Sequence, residues 1–176
     1  MLVVEFKPQG SDKRDKELVR KAMKKIRKHG LWDPSRVTFI SFSYCCCKSV
    51  AKLAPAFTNQ YLNGDIAPAN LAKAGINGID YHYNVFYKHP EWVTEAHDLG
   101  MSVNVWTVNK EQDIRAMIGF GEDCITTNDP LLVRRLLGME ELRNNPPATE
   151  DPLADPKAVV VAGNARFTML GDRLVR

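Results

Sequence analysis

Residues 103–138 read VNVWTVNKEQDIRAMIGFGEDCITTNDPLLVRRLLG, and they divide into strand, helix, strand, helix. Val103, Val105 and Val108, with Trp106 and Thr107, have the β-branched and aromatic composition of a buried strand. Asn109 stands where a helix N-cap belongs, and Gln112 three residues later brings it close to a capping box. Ile114, Met117 and Ile118 give one apolar face at helical spacing, ended by Gly119 and Gly121. Cys124 to Thr127 is a second short apolar strand. Asp129-Pro130 sets a cap before a proline at the first helical position. Leu132, Val133, Leu136 and Leu137 make the next apolar face before Gly138. Two strands joined by a helix run parallel, with the helix crossing over the sheet. Chemistry in such sheets collects at the carboxyl ends of the strands, here Trp106, Asn109, Thr127, Asn128 and Asp129.

The same alternation extends back to the start of the chain. LVVEFK at residues 2–7 is a strand. A helix is expected from about Asp12 to His29, with Leu18, Ala22 and Ile26 as its buried stripe, flanked by Val19 and Met23. Its other face is crowded with lysine and arginine, a run that suits a solvated outer face or, as the less favoured reading, attraction of a phosphate-rich partner. Further strands are expected at 37–42, 56–62 and 76–83. Helices are expected through the cysteines to Leu53, over 68–74, and over 90–99 with Trp92, Val93, Ala96 and Leu99 inward. Alternating strands and helices at this spacing predict a parallel sheet with outer helices. Six strands do not close an eight-stranded barrel. An open doubly wound sheet is the alternative, but no glycine-rich nucleotide loop follows any strand.

The 176 residues suit one ordinary domain of globular composition, 44% hydrophobic and 26% charged. No run approaches the roughly 18 apolar residues of a membrane helix. A net charge of +3 gives no reason to expect a nucleic-acid partner. Cys45, Cys46 and Cys47 are consecutive and Cys124 stands apart, so neither a disulfide framework nor a zinc spacing is present. They read as buried or helix-face thiols. From Met139 the character changes. Residues 139–158, with NNPP, DP and DP, read as a linker. VVVAGNARFTMLGDRLVR, residues 159–176, reads as a β-hairpin and as a candidate start of a second domain. The strand-like start at Leu2 and the end at Arg176 suggest a chain cut within domains.

Glu5 and Lys7 are two apart on one strand and so share a face. A carboxylate at a strand's carboxyl end suits a hard cation such as Mg²⁺ or Ca²⁺. The lysine beside it suits a phosphate oxygen. A salt-bridged pair at the sheet rim is the plain alternative. Asp80 and His82 repeat the spacing and suit a ligand or acid/base pair, or a satisfied rim histidine. His29, His89 and His97 fall on or beside outer helices. Trp106 suits either the apolar wall of a pocket or plain core packing.

VVEFK, VTFISF, VNVWTVN and CITTNDP, in this order and at these separations, resemble the carboxyl-terminal part of the glycerophosphodiester phosphodiesterase family. YLNGD and GIDYHY look like its bacterial branch. The resemblance covers roughly residues 2–138. It implies an incomplete TIM-type (β/α)₈ barrel that lacks its first strands, followed by the linker and the short β-hairpin tail. The implied reaction is hydrolysis of a small-molecule glycerophosphodiester to glycerol 3-phosphate and an alcohol, aided by a divalent cation. By position, Glu5 matches the metal-binding glutamate of the family's E-x-K strand. Lys7 matches its phosphate-facing lysine, and Trp106 the tryptophan bordering the glycerol pocket. The family's H-R-G and E-x-D motifs, and the H-D segment carrying its second histidine, have no counterpart ahead of the E-x-K strand. They supply the acid/base histidines and most metal ligands, so the resemblance implies weak cation binding and little or no activity in this chain alone. A non-catalytic phosphate- or sugar-binding module, or a gene fragment without independent function, are the alternatives. Residues 158–176 are also similar to the opening strands of family 31 glycoside hydrolases.

Overall fold

The computed structural model describes residues 1–139 and, beyond them, the backbone of strands 159–162, 165–171 and 174–175. The expected linker at 139–158 lies almost wholly outside the described residues. The chain divides into two units, Met1–Gly138 and Met139–Arg176.

The first unit is one parallel sheet in the order β1-β2-β3-β4-β5-β6. Its strands are β1 Leu2–Glu5, β2 Val37–Ser41, β3 Thr58–Tyr61, β4 Gly78–His82, β5 Ser102–Trp106 and β6 Cys124–Ile125. Spatial order follows sequence order, and every neighbouring pair is parallel. This is the path of a barrel wall; a doubly wound sheet would reverse direction at a switch point. The helices between the strands are α1 Asp12–Lys28, α2 Tyr44–Leu53, α3 Pro68–Lys73, α4 Tyr83–Lys88, α5 Glu91–Asp98, α6 Glu111–Phe120 and α7 Pro130–Leu136. In the second unit, β7 Val159–Ala162 pairs antiparallel with β8 Ala165–Gly171, and β8 with β9 Leu174–Val175.

Each strand sorts its residues by the period of two. Val37, Phe39, Ile79, Tyr81, Val103 and Val105 face the helices and are at most 2% exposed. They form two clusters. Phe6 and Phe39 stack at 5.5 Å between β1 and β2, beneath Val19 and Met23 of α1 and Cys46 and Val50 of α2. Tyr61, Ile79, Tyr81, Phe86, Val103, Ile114 and Met117 form the larger cluster under α3 to α6. Burying one such large side chain contributes roughly 1.5–3 kcal/mol. The two tyrosines keep their hydroxyls satisfied, Tyr61 donating to Asp65 Oδ1 at 3.0 Å and Tyr81 to the Ile66 carbonyl at 2.7 Å.

Local chemistry starts and stops the helices. The Ser11 hydroxyl accepts from Arg14 N, Asp12 and Asp15 lie in the first turn of α1, and Lys25, Arg27 and Lys28 lie in its last. Asp15 is 5% exposed and ties three segments together: it accepts from Gln9 N at 2.7 Å and from the Ser43 hydroxyl. Ser43 in turn caps α2 by accepting from Cys46 N. Gly121 ends α6 at φ 92°, a left-handed position that favours glycine.

Several boundaries differ from the sequence expectation. Val19 and Met23 are buried at the centre of α1's face, while Leu18, Ala22 and Ile26 are only half-buried at its margins. The acidic Asp15 continues the buried row one turn earlier. The strand expected over 76–83 ends at His82, because Tyr83 turns directly into α4. Leu99 and Leu137 are each 46% exposed, since both fall in the loosening turn after their helix.

The concave face of the sheet is polar and close. Gln60 donates to Ser102 Oγ at 3.0 Å across β4, directly over Gly78. A Cβ at Gly78 would stand 2.5 Å from Ser102 Oγ and 2.6 Å from Gln60 Cγ. Gly78→Ala is therefore expected to destabilise the fold by about 1–3 kcal/mol. The midpoint of urea unfolding measures it, and Gly78→Ala with Ser102→Gly should recover part of the loss.

Candidate active site

Glu5 and Lys7 sit at the carboxyl end of β1 on its concave side. Their backbone is held from behind. Phe6 is 2% exposed, its N–H donates to the Ile40 carbonyl at 2.9 Å, and its carbonyl accepts from the Ser41 hydroxyl at 2.6 Å. Burial of Phe6 thus fixes the two residues beside it on the opposite face. Lys7 Nζ lies 2.6 Å from Glu5 Oε1, with the lysine side chain 70% exposed and the glutamate 27%. Oε1 is itself buried and, apart from this ion pair, has no hydrogen-bonding partner. A carboxylate oxygen beside an exposed ammonium suits a hard cation and an anionic oxygen side by side.

Trp106 ends β5 and leans across β4, donating from Nε1 to the Asp80 carbonyl at 2.8 Å. Phe42, just past β2, meets its ring edge-on at 5.7 Å, and His82, at the end of β4, does so at 5.1 Å. These three rings make an aromatic wall at the mouth of the sheet. Trp106 thus stands half-buried among aromatic rings at the strand ends. Sequence reasoning did not single out Phe42. Its signal is the alternation of β2, where Thr38, Ile40 and Phe42 share one face.

Asp80 and His82 do lie on one face, but they do not bond to each other. His82 Nδ1 accepts from Asn84 N at 3.2 Å and caps α4. In the neutral ring the proton is therefore on Nε2. Asp80 lies deeper, 3% exposed, with Oδ1 unpartnered. Burial pushes its carboxyl up to about 7; the Asn104 amide offsets part of this, and the Glu5 charge adds to it.

The remaining strand-end residues are structural. Asn109 does not cap α6, whose N-cap is Lys110 without a side-chain bond. Its Oδ1 accepts instead from Asn128 N at 2.9 Å and from Thr127 Oγ1 at 3.4 Å. Asp129 caps α7 through Leu132 N. This knot ties the loop after β5 to the loop after β6. His97 lies on the outer helix α5 and His89 just past the end of α4, paired with Asp123 and Glu91 respectively. Among the described residues, no group of three or more His, Cys, Asp or Glu side chains comes together to hold a metal.

The raised carboxyl of Asp80 has a consequence for stability. Its folded value, about 7, lies above the unfolded value of about 3.9. The folded chain keeps a proton that the unfolded chain releases, so this group lowers stability as pH rises from about 4 to about 7. Glu122, also pushed up to about 7 by burial, acts in the same direction. Asp80→Asn should flatten roughly half of that slope and raise the urea midpoint at pH 8 more than at pH 5.

A profile of the glycerophosphoryl diester phosphodiesterase family matches residues 1–132. No curated protein sequence matches significantly. Among solved structures, a glycerophosphodiester phosphodiesterase from Parabacteroides distasonis superposes with a TM-score of 0.75 at 34% identity, over 80% of this chain and 58% of that one. An enzyme assigned as a glycerophosphoryl diester phosphodiesterase from Silicibacter pomeroyi gives 0.67 at 29% identity, over 78% and 50%. A phosphodiesterase from Oleispira antarctica shares the fold at 17% identity, with a TM-score of 0.60 over 75% and 53%. The chain spans little more than half the length of these structures. Its first 138 residues are six parallel strands and their helices from a TIM-type barrel, and the chain belongs to the glycerophosphoryl diester phosphodiesterase family.

Proposed function

We propose that this chain supplies the carboxyl-terminal half of a glycerophosphodiester phosphodiesterase site, one that releases glycerol 3-phosphate and an alcohol. The observation that carries the reading is the buried Oε1 of Glu5, which accepts no hydrogen bond, beside the Lys7 ammonium. In this reading Glu5 holds one coordination position of a divalent cation such as Mg²⁺ or Ca²⁺. When bound, such a cation neutralises phosphoryl oxygens and orients the group for displacement. Lys7, exposed and on a flexible stem, swings from Glu5 to a phosphate oxygen as substrate enters. Trp106 lies against the glycerol carbons and keeps bulk water from one side of the phosphodiester. One carboxylate binds a cation weakly, and acid/base help from paired histidines is worth about 10²- to 10⁴-fold.

The 176-residue chain alone should therefore release glycerol 3-phosphate from glycerophosphocholine or glycerophosphoethanolamine only at the background rate. Fusing the part of the Parabacteroides enzyme that precedes its match to Met1 ahead of this chain should create chelator-sensitive turnover. In that chimera Glu5→Gln should lower kcat/KM by at least about 100-fold. A folded chimera without turnover, or full activity in the Glu5→Gln chimera, would sink the reading.

A further inference from the structure

The outer surface holds a second feature that the phosphodiesterase reading leaves unused. α1 and α2 pack side by side, and the groove between them encloses about 870 Å³. Its walls carry Lys13, Lys16 and Arg20 from α1 and Lys48 and Lys52 from α2, with Asp12 the single acid. The spacing 13, 16, 20 keeps the α1 cations on one stripe. None of the five makes a salt bridge among the described residues. Arg20 also borders a second depression with Lys24, Arg27 and the ion-paired Glu17 and Lys21, which extends the stripe by two turns. Residues 12–53 hold twelve Lys and Arg against four Asp and Glu, a local +8 in a chain of net +3. The total charge conceals this concentration.

The groove also has an apolar end. Leu53 closes it and is 40% exposed. Trp32 rests on Phe57 at 4.5 Å, bringing the loop after α1 against the segment after α2, and Leu31 beside it is 41% exposed. Arg27 covers Trp32 at 3.8 Å. Cations on aliphatic stems that share a groove with the exposed Leu53, on a face whose helix α1 is followed by the exposed Leu31, match an interfacial surface, where charges meet headgroups and leucines enter the acyl boundary. A nucleic acid would use the cations and leave the leucines unexplained. No helix of the described residues is long and apolar enough to cross a membrane.

We propose that the α1–α2 face docks this chain on an anionic lipid bilayer, with phosphate headgroups seated among Lys13, Lys16, Arg20, Lys48 and Lys52. Both helices cover the convex side of the sheet, so docking there leaves the strand ends carrying Glu5 and Trp106 open.

Co-sedimentation with vesicles of phosphatidylcholine, with and without 30% phosphatidylglycerol (about that fraction, as in strongly anionic membranes), tests the proposal on the 176-residue chain. Binding should need the anionic lipid and weaken as salt rises. Each cation contributes roughly fivefold, so Lys16→Gln with Arg20→Gln and Lys48→Gln should lower partitioning about 100-fold. Leu31→Ser with Leu53→Ser should weaken it further, at unchanged circular dichroism. Neutralising Lys73, Lys88 and Lys110, away from the groove, should have little effect. Equal binding to neutral vesicles would overturn the proposal, as would equal loss in the distant triple variant. So would preference for a labelled oligothymidine that the leucine changes leave intact. None of these outcomes bears on the phosphodiesterase reading, which the chimera tests separately.

Discussion

Side chains alternate across a strand, and in this sheet both alternating faces are in use. One residue of each pair must satisfy a hydrocarbon core under the helices, and the next must suit a narrow polar interior. Phe6 and Glu5 show the coupling. Phe6 stacks on Phe39 and is bonded through its backbone to Ile40 and Ser41. That burial leaves its neighbours Glu5 and Lys7 no choice but the concave side. Tyr81 does the same for Asp80 and His82, and Val105 for Asn104 and Trp106. A one-residue slip in any of these strands would exchange carboxylates for aromatics and destroy core and site together.

That coupling explains how much of the molecule was legible in the sequence. Strand–helix alternation, parallel pairing and the shared face of Glu5 and Lys7 all follow from local periodicity, and the structure has them. The resemblance of VVEFK and VNVWTVN to a known family supplied the barrel, which six strands alone left open. What local pattern missed depends on partners distant in the chain. Asn109 has the chemistry of a cap, yet Asn128 and Thr127 reach it first. Phe42 belongs to the wall because Trp106, 64 positions later, lies against it. The row of Val19 and Met23 is central because Asp15 docks on Ser43 and sets the rotation of α1.

Charge shows the same limit in another form. The net charge of +3 describes no surface of the folded chain. Folding places the lysines of α1 beside those of α2 and takes Asp15 out of solvent, so one face becomes far more positive than the average. Inside the sheet, burial raises the proton affinity of Asp80, and the charge of Glu5 adds to it.

The three consecutive cysteines of α2 turn this geometry into a chemical gradient. Successive helical residues point about 100° apart, so the three thiols face different surroundings. Cys47 is buried against the larger core, with its thiol pushed up to about 12 by burial, and Cys46 is buried under α1. Cys45 opens onto the basic groove, and Cys124 is exposed. A thiol-alkylating reagent therefore has two reachable sulfurs in the native chain and four in the unfolded one. The mass of the alkylated protein counts folded molecules directly, and a fluorophore carried on Cys45 would sit within the groove itself.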